Sequence, residues 1–391
     1  MKNKNAIKVT LLLSSMMTIL ANAIIAPALP EINKAFATID NAELLSKLLM
    51  TLPALTIAFF ASFIGNFIDK IGRLKILFAS LLLFAIAGTS GLWLETLPQI
   101  LVGRFFLGFG VAGIMTVTTT LIGDYFKDEE RQELIGFQGA FMGFGGMIFI
   151  TLAGYLTDAN WRYPFAIYGF SVIILVLSYF TLFEPKKEII ISKSNSQNSV
   201  SIDNKTIYTI YFTAFIGMAL FYILPLQIPF YIKKLGYTSN AMSGWAISAL
   251  TTSQAISSFF YRKMRIKFSN MSIYGFSFSL MAIGFLVIGT ASQYWQIVAG
   301  LIVSGIGAAW LMPNSSLWLL AVSPESSRGK YVGQLTTFIF LGIFMSPVLV
   351  QPIQNFVGSK NTFLILSLTL IVLAVLYFLI NKNQKNILQN E

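Results

Sequence analysis

Apolar runs of about 20 residues, each closed by a short polar stretch, repeat from one end of this chain to the other. They fall at 9–29, 45–65, 74–94, 98–122, 133–157, 163–183, 206–230, 241–261, 271–291, 295–320, 331–351 and 361–380. A helix rises 1.5 Å per residue, so each run is long enough to cross a hydrocarbon core about 30 Å thick. Runs this long and continuous do not suit the alternating strands of a membrane barrel, so the backbone polar groups must be satisfied inside helices. The pattern predicts an all-α polytopic membrane protein with twelve transmembrane helices.

Composition agrees with the pattern and removes several chemistries. Of 391 residues, 55% are hydrophobic and 11% charged, and the mean hydropathy of +0.72 excludes a soluble globule. A net charge of +11 would suggest nucleic acid in a soluble protein. Here the cations sort by membrane side: twenty of the 27 lie on segments that share a side with the N-terminus. Lys34, Lys47, Arg162, Lys233, Lys234 and Lys360 fall on the opposite loops, and Arg104 falls inside a span. That bias predicts that both termini are cytoplasmic. Ala21-Asn22-Ala23 imitates a signal cleavage site, but removing the first span would leave eleven and reverse the bias. The chain has no cysteine and no histidine, so neither a metal nor a cofactor is expected. Gly108-Phe109-Gly110-Val111-Ala112-Gly113 spells a dinucleotide fingerprint without the preceding strand that it needs.

The polar stretch from Glu184-Pro185-Lys186-Lys187 to Lys205 reads as a linker between residues 1–183 and 206–391. The two parts look duplicated. Setting Gln99-Ile100 on Gln296-Ile297, an offset of 197, aligns Gly103 with Gly300, Gly108 with Gly305 and Gly110 with Gly307 without a gap, and reaches Arg131/Arg328 and Gly136/Gly333. Two six-helix bundles of this kind place a binding site between them near the bilayer midplane, reached by rocking one against the other.

Between the second and third spans lies Gly65-Asn66-Phe67-Ile68-Asp69-Lys70-Ile71-Gly72-Arg73-Leu74-Lys75. Gly65, Asp69, Lys70, Gly72, Arg73 and Lys75 closely resemble the hinge signature of the major facilitator superfamily. The resemblance implies that Asp69 sits against the N-terminal end of a helix from the other half, such as the eleventh near Gly333, while Arg73 bridges to Asp124. In the second half the loop reads Tyr261-Arg262-Lys263-Met264-Arg265-Ile266-Lys267 and has lost the aspartate. Asn22 within Asn22-Ala23-Ile24-Ile25-Ala26-Pro27, and the fifth-span glycines Gly139, Gly143, Gly145 and Gly146, resemble the drug:proton antiporter branch, although Phe144 replaces that branch's proline.

Burying Arg104 costs at least about 2.5–3.5 kcal/mol on insertion scales. Arg104-Phe105-Phe106-Leu107-Gly108 resembles the family's fourth-helix pattern with leucine in place of glutamine, and the resemblance links the arginine to proton transfer. The bland alternative is snorkelling, since the helix starts only about 9 Å away. Gln138, Met142, Tyr222, Gln227, Gln254, Trp310, Asn314 and Ser315 are expected to line the cavity beside Asn22. No carboxylate falls in mid-span, so Glu31 or Glu43 is the candidate for coupling to protons.

These readings point to a monomeric secondary transporter of the bacterial inner membrane that exports lipophilic drugs or metabolites against protons. The alternatives are an uptake symporter for a small polar nutrient and a membrane-embedded transferase. The transferase would need a cluster such as Asp128-Glu129-Glu130 with Glu133, which also reads as a solvated helix start.

Overall fold

The computed structural model describes residues 3–185, 204–324 and 328–390, except the side chains at 62, 63, 65, 66, 69, 128, 132 and 383–390. Most of the expected linker, 186–203, therefore lies outside the described residues. Within them the chain is helical without a strand. The first half contains α1 (Lys4–Ala35), α2 (Ala42–Ile71), α3 (Arg73–Leu92), α4 (Leu97–Tyr125), α5 (Asp128–Ala159) and α6 (Tyr163–Thr181). The second half contains α7 (Asn204–Lys234), α8 (Asn240–Ser258), α9 (Asn270–Thr290) and α10 (Tyr294–Val322), then the helix Arg328–Asn390.

Ten of the described helices are long and apolar enough to cross a membrane alone. Two features reconcile this with twelve. The 63-residue helix Arg328–Asn390 would be about 95 Å long if unbroken, three times a bilayer core. It breaks at Gly358, whose φ of 77° and ψ of 165° suit a residue without Cβ, giving α11 (328–357) and α12 (359–390). The other helix, α8, carries seven serines and threonines, one asparagine and one glutamine in 19 residues. It can be this polar because it packs between α5 and α10, away from lipid.

The duplication is built into the packing. A Cβ on Gly108 would stand 2.6 Å from the Pro53 carbonyl oxygen and as near Thr56, while one on Gly305 would meet Leu250 and Ser253. Gly110 presses on Ser80 and Phe84, and Gly307 on Ser277 and Met281. Each partner is displaced by the same 197 residues as the glycine it touches. Small residues let α4 cross α2 and α3, and α10 cross α8 and α9, at backbone distance. Gln99 and Gln296, which anchor the alignment, each accept the backbone N–H groups that precede their helix.

The halves meet along α2 with α11 and α5 with α8. We call the end where α1 begins the terminal face and the opposite end the distal face. Along α5 the packing changes from one end to the other. A Cβ on Gly154 would lie 2.9 Å from the Asn240 carbonyl and one on Gly143 2.7 Å from the Ala255 Cβ, whereas Gly139 and Gly136 have nothing within 4 Å. The α5–α8 seam is shut at the distal face, and α5 has free space beside it toward the terminal face.

Candidate functional site

At the terminal face, α2 ends in the hinge, and Gly72 turns the chain into α3 with φ at 107°. Arg73 Nε donates to Asp124 Oδ2 at 3.2 Å, tying the start of α3 to the end of α4. The carboxylate recorded on a helix end here is one that sequence reasoning assigned to the linker. Glu184 accepts from the backbone N–H of Arg73 at 2.6 Å and of Leu74 at 2.8 Å. It thereby caps α3, where two unpaired N–H groups and the helix dipole favour an anion. Tyr125 donates to the Phe183 carbonyl beside it. Gly65 and Asp69 lie in the last turns of α2, but their side chains fall outside the described residues, as does that of Asp128. Lys70 is exposed and Lys75 lies in the first turn of α3. Nearby, Glu130 pairs with Lys4 and Lys8, each at 2.7 Å, joining α1 to α5.

Arg104 does not snorkel. It is fully buried, with Nε on the Leu49 carbonyl and Nη2 on both the Ala21 carbonyl and the Tyr168 hydroxyl, all at 2.8 Å. The Tyr168 ring lies beneath the guanidinium at 4.8 Å. Pro53, four residues after Leu49, has no N–H, so the Leu49 carbonyl lacks its helical partner and is free to accept. Ala21 lies in the last turn of the regular part of α1, where carbonyls are also unpaired. Arg104 Nη1 and the Oδ1 of neighbouring Asn22 are buried without a partner. Buried polar atoms of this kind ask for a ligand, a water or a rearrangement.

The distal face holds most of the recorded polar contacts between the halves. Glu31 pairs with Lys233 at 3.0 Å, linking α1 to α7. Asp158, at the end of α5, accepts from Ser239 at 2.7 Å and from the backbone of Asn240 at 2.5 Å and Ala241 at 3.3 Å, capping α8. Thr151 bonds Ser248, and Trp245 donates to Tyr155.

Lys47, read from the sequence as a residue of an external loop, lies within α2 with its side chain wholly buried. Its ammonium donates to Glu43 and Gln351 at 2.6 Å, to Gln227 at 3.0 Å and to Gln354 at 3.1 Å. The span begins earlier than its apolar run because Glu43, one turn before, supplies the compensating charge. Gln227 thus serves this contact. Trp310, Asn314 and Ser315 are likewise occupied within the second half, bonded to Ser257, to Tyr261 and Asn270, and to Tyr274. Periodicity marks such residues as polar within a span and says nothing of the direction they face. Gln138 donates to Ser15 of α1, while Met142, Tyr222 and Gln254 are half-buried. Gly145 and Gly146 receive Met16 and Ile19 of α1, and Gly143 receives Ala255 of α8.

A profile of the Major Facilitator Superfamily matches residues 11–243 and 210–390. The chain is 25% identical over 364 residues to the tetracycline resistance protein, class H, of Pasteurella multocida, covering 89% of each. It is 21% identical over 307 residues to the quinolone resistance protein NorA of Staphylococcus aureus strain COL, covering 77% of this chain and 79% of the relative. Among solved structures, a bacterial homologue of the human lysosomal transporter Spinster superposes with a TM-score of 0.79 at 15% identity, over 97% of each chain. A D-xylose–proton symporter superposes with a TM-score of 0.77 at 16% identity, over 95% of this chain and 96% of that one. The duplicated six-helix halves, the hinge and the profile match over nearly the whole length agree: the chain belongs to the Major Facilitator Superfamily, and it is a multi-pass membrane transporter and not an enzyme.

Proposed function

We propose that this transporter exports lipophilic drugs or metabolites across the bacterial cytoplasmic (inner) membrane by alternating access, driven by inward flow of protons. The observation that carries the reading is the similarity, over 89% of both chains, to a tetracycline resistance protein. The terminal face is then cytoplasmic, in line with the positive charge concentrated there. Residues 1–183 and 206–391 are the moving halves, joined through 184–205, and the protein acts as a monomer. A closed distal seam with free space along α5 toward the terminal face suits a state that loads from the cytoplasm.

In this reading the hinge at Gly65, Asp69, Lys70, Gly72, Arg73 and Lys75, with Asp124, locks the cytoplasmic side in the opposite state. Gln138, Met142, Tyr222 and Gln254 contact substrate. Arg104, Asn22 with its unpartnered amide oxygen, and Glu31 at the distal mouth carry coupling. The glycines of α5 set how closely α1 and α8 approach.

The test is accumulation of fluorescent lipophilic compounds, tetracycline included, in energised everted vesicles. Export predicts uptake into these vesicles that a protonophore abolishes. Accumulation confined to right-side-out vesicles would replace export with uptake of a nutrient. Absence of movement in both orientations across the compound panel would overturn the reading.

A further inference from the structure

Lys47 puts a full ammonium where the repeat elsewhere puts no side chain at all. The offset of 197 carries Lys47 to Gly244 and Gly154 to Gln351, so the two seams of the distal closure are the same pair of positions built twice. Between α5 and α8 the pair is glycine on glycine: a Cβ on Gly244 would stand 2.9 Å from the Ile150 carbonyl and 3.3 Å from the Gly154 Cα. Between α2 and α11 it is Lys47 on Gln351 at 2.6 Å. One seam closes by backbone contact and the other by a charge.

The acceptors around that charge are prepared for it. Gln351 donates its amide to Asn355 at 2.8 Å, and Gln354 donates its own to Glu43 at 3.0 Å, so both carbonyl oxygens are left for the ammonium. The Phe230 ring adds a face 4.8 Å away. Three of the four oxygens belong to the second half, on α7 and α11. The counter-charge, Glu43, belongs to Lys47's own helix. When the halves part, Lys47 keeps Glu43 and loses the amides, and water must replace them. A half-released ammonium, away from both cage and water, is the costly arrangement, which makes the contact two-state.

We propose that Lys47 is the latch of the distal gate. This rests on the alternating-access reading above. Caged, the ammonium holds α2 to α7 and α11 while the transporter loads from the terminal side. Its transfer from three amide oxygens to water is the step that opens the distal side. The hydrogen-bonded partners of Lys47 across the seam are neutral amides, and Glu43 travels with the lysine.

The chain has no cysteine, so Met50→Cys adds a single thiol one turn from Lys47, at a position wholly buried in this state. The readout is the labelling rate of purified protein in lipid nanodiscs with a charged maleimide, which reaches both faces. Lys47→Met is expected to raise the rate by about tenfold or more, the scale on which a hydrogen bond to a charged group shifts an equilibrium. Gln351→Leu, which keeps the lysine, is expected to raise it too and keeps the test readable should Lys47→Met not insert. In Lys47→Ala, n-propylammonium is expected to slow labelling again, and n-propanol is not. An unchanged rate in the inserted variants, or equal rescue by n-propanol, overturns the latch. The assay involves no transport, so a protein that labels as expected and exports nothing overturns the export reading alone.

Discussion

Prolines in this transporter do more than bend helices. Pro53 leaves the Leu49 carbonyl without a helical donor, and Arg104 takes it, binding α4 to α2 while its other nitrogen reaches α1 and α6. Lysine keeps the charge but cannot span three acceptors from one planar group. Arg104→Lys is therefore expected to lower stability by about 1.5–3 kcal/mol for each charge-assisted bond it drops, read as an earlier thermal midpoint in detergent. Pro53→Ala returns an N–H to Leu49 and sets it against Arg104, for a smaller loss of about 1 kcal/mol. Equal midpoints for Arg104→Lys and the parent would remove the staple from the account. The cost of Arg104 was legible in the sequence, because charge inside an apolar run is conspicuous. Its partners were not, since Ala21, Leu49 and Tyr168 lie on three other helices and two of them contribute only backbone. Lys47 was misplaced for a related reason: it stands at the edge of its apolar run, two residues after the start at 45, and nothing local shows that Gln227, Gln351 and Gln354 come to meet it.

Helices and their seams are where the sequence spoke most clearly about existence and least about closeness. All twelve spans could be read from run length, including α8, whose polarity makes it the least obvious. The glycines of α5 could be read as a group, but not which of them touch another backbone. Gly154→Ala is expected to force α5 from α8 and cost about 1–3 kcal/mol, the range for overfilling a close contact. Gly139→Ala, with nothing within 4 Å, is expected to be neutral or to stabilise α5 by up to about 1 kcal/mol. Thermal midpoints of the two variants, measured side by side, check the contrast. Two variants of equal stability would contradict the seam as described.

At the scale of the whole molecule, the joint faces of α2 with α11 and α5 with α8 hold the halves together independently of the chain between them. A protease site placed between residues 186 and 203 is therefore expected, once cut, to leave two fragments that co-purify in mild detergent. Fragments that separate would mean that the covalent connection supplies what the seams do not. The duplication itself was legible as an ungapped run of glycines, and the packing extends it back to residue 53, because each glycine and the backbone it presses on moved together as a unit.

That duplication gives the protein an internal reference for its most expensive residue. Adding 197 to Arg104 and to Pro53 gives Leu301 and Leu250, both buried in the second half at the corresponding crossing. Hydrocarbon side chains stand at both positions there, so the architecture has no standing demand for a guanidinium. The guanidinium and the three acceptors it gathers therefore belong to the first half alone and break the likeness of the two bundles.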